Sequence, residues 1–331
     1  MRYVFLLIIC LWAAVANAQD WEDRQRFGDP QAAAALRILS NTDTRFFAPI
    51  IDRFVAGNAG VQVDYMVTGS ADLYNLYRED PQGYDVVISS AMDLQIKLAN
   101  DGYALQVTGT GHPAWAQWRE SLFAFSTEPA AIVINKAAFA GQPIPASRQE
   151  LIQALRARPD VFADRIGTYD VRQSGLGYLF ATQDARASET YWRLTEVMGG
   201  LGAKLYCCSG AMIDDLVSGK IAVAYNVLGS YAAARSDTID EIAVILPSDF
   251  PTTMMRSAFA SRDTKVPAAA AGFIRHLTTL RSDAELAAAF PLPPLDPASQ
   301  ASIPLEPALI TYLDRLKRRT FIQEWENAII Q

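Results

Sequence analysis

Residues 84–90 read Tyr84-Asp85-Val86-Val87-Ile88-Ser89-Ser90. Three consecutive β-branched apolar residues mark a buried strand, and the run ends on two hydroxyl residues just ahead of a helical pattern over 92–99. The same pattern occurs twice upstream. Leu36-Arg37-Ile38-Leu39 leads through Ser40-Asn41-Thr42-Asp43-Thr44 into helical spacing over 46–55. Residues 61–67 alternate as a strand, reach Thr68-Gly69-Ser70, and hand over to a helix opening at Ala71. Strands that pass repeatedly into helices through small polar residues predict an α/β chain built on a parallel sheet.

That arrangement has a chemical consequence. In open α/β sheets ligands collect beyond the carboxyl ends of the strands. Helix N-termini there present unpaired N–H groups and a partial positive charge. Asn41, Thr42, Asp43, Gly69, Ser70, Ser89 and Ser90 are therefore candidate ligand-binding residues. The plainer alternative for each is a helix cap and nothing more.

The alternation continues. Segments 123–125 and 131–134 read as separate strands, and Ser147-Arg148-Gln149-Glu150 is a capping box that opens a helix over 151–156. A strand over 165–170 precedes Arg172-Gln173-Ser174-Gly175, where another helix starts, and a longer helix from Ser188 stops at Gly199-Gly200. Leu205-Tyr206-Cys207-Cys208-Ser209-Gly210 leads into a helix over 211–217. A buried strand over 221–225 ends in Asn226 and is followed by a helix over 230–234. Strands are expected over 241–246 and 254–259, the latter interrupted by Arg256; the remainder is helical apart from a proline-rich stretch over 291–304. Residues 19–34 read as a leader without an element of their own.

This pass adds Arg172, Ser174, Gly175, Ser209, Tyr225, Asn226 and Arg256 to the candidates. Arg172 is alternatively a solvated loop charge, and Arg256 an interior ion pair with an acidic neighbour. Cys207 and Cys208 either close a vicinal disulfide in an oxidising compartment or pack as two small thiols at a helix start; the thiols are the preferred expectation, because adjacent Cα atoms lie only about 3.8 Å apart, shorter than disulfides favour.

Half of the 331 residues are apolar and a fifth are charged, which excludes disordered and low-complexity classes. Single cores stop growing near ~250–300 residues, so about two domains are expected. Acids outnumber bases 36 to 29, for a net charge of −7, and no Lys/Arg cluster stands out, which argues against nucleic acid as a partner. With only His112 and His276 a His-rich zinc site is hard to build, and no metal or cofactor is expected. No nucleophile elbow, zinc-protease helix, phosphate loop or cysteine–histidine pairing is present, so an enzyme is not expected.

The N-terminus addresses the chain. Arg2, an apolar run over 4–15 and Ala16-Asn17-Ala18 match a secretory signal peptide over 1–18, cleaved after Ala18, and imply export to the periplasm. Loss of Arg2 with the leader makes the net charge −8. Cys10 lies inside the apolar run without a small residue before it, so lipidation is not expected. No later segment is long and apolar enough for a membrane span.

Together, Leu36-Arg37-Ile38-Leu39-Ser40, Val67-Thr68-Gly69-Ser70, residues 84–90, Asp170 with Ser174-Gly175-Leu176-Gly177, and Gly219-Lys220-Ile221-Ala222-Val223-Ala224-Tyr225-Asn226 resemble the type II periplasmic solute-binding proteins of ABC transporters. The nearest branch holds iron(III)-binding, hexose-phosphate-binding and phosphoglycerate-regulatory proteins. The resemblance implies two α/β lobes, each a mainly parallel sheet flanked by helices, joined by two crossover strands with the ligand between them. The first crossing is expected near Phe125 and the return near Ala243. The first lobe would comprise 19–125 and 244–331, and the second 126–243. The implied partners of a monomeric chain are a small-molecule ligand and an ABC permease, or a membrane histidine kinase in a sensor.

Ferric iron in such proteins is held mainly by adjacent tyrosines near the second crossover. Here Tyr225 and Tyr231 stand six residues apart and the vicinal pair is absent. A phosphorylated or carboxylated organic anion is the preferred expectation, held by hydroxyls, backbone N–H groups and an arginine, Arg172 or Arg256.

Overall fold

The computed structural model describes residues 21–233, 240–299 and 302–330; the expected signal peptide and Cys10 lie outside them. Eleven strands are present among the described residues: β1 (Asp23–Phe27), β2 (Ala34–Ser40), β3 (Val61–Val67), β4 (Val86–Ser89), β5 (Gln117–Trp118), β6 (Leu122–Asn135), β7 (Ile166–Tyr169), β8 (Lys204–Tyr206), β9 (Val223–Leu228), β10 (Ile242–Ile245) and β11 (Thr253–Ala260). Their order is β1-β3-β2-β4-β11-β6-β9-β7-β8, with β5 and β10 beside β6.

The strand-to-helix units fold as the sequence predicts. β2 pairs in parallel with β3 and β4, and Ser40 lies opposite both Val67 and Ile88. That register aligns the carboxyl ends of the three strands. Helices Thr44–Gly57, Ser70–Glu79 and Met92–Asn100 leave from those ends. Leu36, Ile38, Val63, Val86 and Ile88 are fully buried between sheet and helices. Residues 23–27, expected to carry no element, form an antiparallel edge strand on β3. Four of its five residues are exposed, so Asp23-Arg24-Gln25-Arg26-Phe27 shows no apolar alternation.

The two strands expected over 123–125 and 131–134 are one. β6 runs for 14 residues. Its first part pairs with β11 over Phe123 to Pro129, and its second part pairs with β9 and β10. It therefore belongs to both halves of the molecule. The polar middle that hid this continuity is buried but satisfied. Ser126 Oγ donates to Glu128 Oε1 at 2.9 Å, and Ser230 Oγ donates to Glu128 Oε2 at 2.7 Å.

In the second half β9 lies between β6 and β7, and β7 pairs in parallel with β9 and β8. A separate core fills this half around Leu151, Phe162, Leu194 and Tyr225. Ser147 caps its helix as predicted, accepting from Glu150 N at 3.1 Å, while Glu150 Oε2 reaches back to Ala146 N at 2.7 Å.

The expected return near Ala243 falls further along. β10 still pairs with β6 over Ile132 to Asn135, so the chain leaves the second half only after Ile245 and returns as β11. The C-terminal helix Arg315–Ile329 also departs from its expected place with the first lobe. Its Phe321, Trp325 and Ile329 pack in the second-half core with Leu194 and Met198, because their apolar stripe faces the helix Thr190–Gly200. Among the described residues no helix is long and apolar enough to cross a membrane.

Candidate functional site

A cleft between the two halves gathers the carboxyl ends of β2, β3, β4, β7, β8 and β9. Eight of the expected site residues line it: Asn41, Asp43, Gly69, Ser70, Ser90, Ser174, Ser209 and Arg256. In this conformation the cleft is nearly shut, with about 40 Å³ of room for the centres of water-sized molecules. Two hydrogen bonds cross it. Leu176 N donates to Ser70 Oγ at 3.2 Å, and Tyr231 OH donates to Asp43 Oδ1 at 3.1 Å. Gly175 lets the halves meet this closely, since an added Cβ would come within 3.0–3.2 Å of Leu94, Ala91 and Ser70.

Three serines share one role. Ser70 Oγ accepts from Leu176 N, Ser90 Oγ accepts from Asn41 Nδ2 at 2.7 Å, and Ser174 Oγ accepts from Gly177 N at 3.1 Å. A hydroxyl carries one donor and two acceptor sites. One acceptor site on each is taken by a protein N–H group, and none of the three hydroxyls donates to a protein acceptor among the described residues, so each O–H is free to donate toward the cavity that all three line. Helices Ser70–Glu79 and Ser209–Val217 begin at the same cleft, and neither has a side-chain cap. Their first N–H groups add partial positive charge.

Arg256 lies in the middle of β11, 1% exposed. Its Nε and Nη2 donate to Glu128 at 2.9 and 3.1 Å, and its Nη1 donates to Thr42 Oγ1 at 2.7 Å. Burial opposes its charge, but the paired Glu128 carboxylate more than offsets that and holds the guanidinium protonated. Both readings of Arg256 therefore apply: it is an interior ion pair and it lines the cavity, with two of its five N–H donors free of these bonds.

Six expected residues are not brought to the cavity. Thr42 is buried beneath it as the acceptor for Arg256. Ser89 closes the turn ahead of the helix, its Oγ accepting from Ala91 N at 3.1 Å. Gly175 forms the contact between halves. Arg172 binds Asp170 through Nε and Nη2 and Glu326 through Nη1, which places it against the C-terminal helix. Tyr225 and Asn226 belong to a buried network centred on Asp184, which accepts from Tyr225 OH at 2.8 Å and from Asn226 Nδ2 at 2.7 Å. Arg148 completes that network, with its side chain fully buried against Asp184.

Sequence reasoning left out Glu22, Thr68, Tyr169, Leu176, Cys207, Cys208, Leu228 and Tyr231, which also line the cleft. Cys207 and Cys208 are joined as a vicinal disulfide, rather than the packed thiols of the preferred expectation. Thr68, Leu176 and Cys208 flank expected residues, so proximity alone pointed to them. Glu22 had no signal, because it sits in the segment read as a leader. Glu22 is exposed at the cleft mouth, where partial desolvation, and then Asp43 and Asp72, raise its carboxyl. Burial also raises the phenols of Tyr169 and Tyr231, whose hydroxyls bond Ser209 and Asp43. No group of three or more His, Cys, Asp or Glu placed to hold a metal occurs among the described residues.

The architecture is that of the type II periplasmic substrate-binding proteins, two-lobe proteins that bind solutes rather than transform them. Among solved structures, the chain superposes on the substrate-binding protein of an ABC transporter from Agrobacterium tumefaciens with a TM-score of 0.85 and 28% identity, over 93% of this chain and 98% of that one. The periplasmic binding protein AfuA from Actinobacillus pleuropneumoniae, bound to fructose-6-phosphate, gives 0.71 at 12% identity over 90% and 99%. Iron-bound HitA from Pseudomonas aeruginosa gives 0.66 at 14% over 89% and 99%. No protein-family model and no curated protein matches the sequence.

Proposed function

We propose that the protein captures a small organic anion, phosphorylated or carboxylated, between its two lobes in the periplasm and delivers it to an ABC permease. The observation that carries this reading is the set of three serines whose oxygens accept from protein N–H groups while they line one cavity. Hydroxyl donors, uncapped helix ends and Arg256 form a surface that complements an oxyanion. The same closing cleft would serve a membrane histidine kinase; the likeness to a transporter's binding protein favours delivery.

Iron is disfavoured by chemistry. Tyr225 is engaged by Arg148 and Asp184, and burial makes tyrosinate costly at Tyr169 and Tyr231. Thermal melting of stripped protein with a panel of small phosphate esters and carboxylates should rise for at least one anion. Ser90→Ala should weaken that anion by about 1.5–3 kcal/mol, the range for a hydrogen bond to a charged group, whereas Arg172→Met should leave it unchanged. A stoichiometric red-brown ferric complex with no stabilising anion would overturn the reading.

A further inference from the structure

The charges around the cleft do not suit a simple anion. Among the described residues that line the cavity Arg256 is the only cation, and Glu128 binds it with both carboxylate oxygens. Two carboxylates, Glu22 and Asp43, line the same cavity. Asp43 meets Arg45 at 3.3 Å, but both side chains are about half exposed, so that pair is weakly neutralising. No cation or hydrogen-bond donor among the described residues pairs with the Glu22 carboxylate.

These charges have a direction. A more open groove adjoins the cavity and shares Glu22, Asp43 and Cys208 with it. Ser90, Ser174 and Arg256 line the inner cavity only. The groove adds Asp23 and Asp214 and one cation, Arg45, whose partner is Asp43. Cavity and groove together thus carry four carboxylates at the rim against that one cation, while the hydroxyl set and Arg256 lie inside. Between them Leu176, Leu228 and the Cys207–Cys208 disulfide supply an apolar wall. The closed cleft is small enough to bring both ends within reach of one short molecule.

We propose that the solute is a zwitterion, with an oxyanion head on the inner serines and Arg256 and a primary ammonium group at the rim between Glu22 and Asp43. The inference rests on the anion reading above and narrows it. The ammonium supplies Glu22 with the partner that the chain itself does not provide. A short apolar spacer matches the wall that separates the two polar ends. A plain anion of the same size gains only the inner contacts and meets two carboxylates at the rim.

Matched pairs that differ only in the amine test this by titration calorimetry on stripped protein: phosphoethanolamine against ethyl phosphate, β-alanine against propionate, and taurine against ethanesulfonate. The expected result is at least a tenfold preference for the aminated member of whichever pair binds. Glu22→Gln, at the exposed rim where the fold is not at risk, should reduce that preference at least tenfold and leave the plain anion's affinity unchanged or raised. Asp43→Asn should act in the same direction. Equal or tighter binding of the plain anion, or an undiminished preference in Glu22→Gln, overturns the zwitterion and leaves the anion reading standing. Failure of every member of every pair to bind overturns both.

Discussion

Asp93 carries a carboxylate where the fold gives it little help. It is 2% exposed in the second position of the helix Met92–Asn100, and its partners are backbone N–H groups, Leu94 N at 2.9 Å and its own. Burial pushes its carboxyl up to about 7. The folded pKa thus lies above the unfolded value, so the native state is favoured when the group is protonated. That contribution is complete below about pH 4 and is lost as pH rises through about 7. Within that window the loss approaches roughly 1.4 kcal/mol per pH unit. Asp93→Asn should flatten this part of the profile, so the difference in unfolding free energy between variant and wild type grows from pH 4 to pH 7. Parallel profiles measured by denaturant titration would show that Asp93 is not buried in this way.

At the scale of elements, the second half is tied together by one guanidinium. Arg148, at the start of the helix Arg148–Ala157, donates to Tyr225 OH on β9, to both oxygens of Asp184 in the helix Gly175–Ala187, and to Asp249 and the Phe250 carbonyl in the return segment. Thr252 also donates to Asp184, at 2.7 Å. Breaking a buried pair by removing one partner costs about 3–5 kcal/mol, because the other charge stays buried. Arg148→Met should lower stability by that amount in urea unfolding. A loss under 1 kcal/mol would mean that Asp184 has another way to be satisfied.

The network also marks what the sequence could not show. The three strand-to-helix handovers were legible, since residues adjacent in the chain carry both the apolar strand and the polar turn. Partners 36 to 102 positions apart were not, and Tyr225 and Asn226 read as ligand residues because their distant acceptor was invisible. β6 looks like two strands in the sequence for a related reason. A buried Glu128 is only reasonable in a strand once Arg256 is known to lie 2.9 Å away. Glu22 was hidden by an edge strand with no apolar rhythm. The cleft could be located from strand ends alone, while its charge balance required the tertiary pairing.

For the whole molecule, the proposed function has the halves closing on the ligand, and Gly175 stands where they meet. Side chains of Leu94, Ala91 and Ser70 from the first half already stand 3.0–3.2 Å from where a Cβ would lie. Gly175→Val should hold the cleft ajar without disturbing either core. Ligand affinity should fall at least tenfold, about 1.4 kcal/mol, and the ligand-saturated radius of gyration from X-ray scattering should exceed that of the wild type. Normal affinity with normal compaction would show that the halves need not meet at Gly175.

The central claim, an oxyanion held between the lobes, is reached most directly by native mass spectrometry of freshly purified protein. The account predicts one small adduct per chain, released on denaturation and carrying a phosphate, carboxylate or related oxyanion group. An adduct of iron, or of a cationic or neutral compound with no oxyanion, would contradict it.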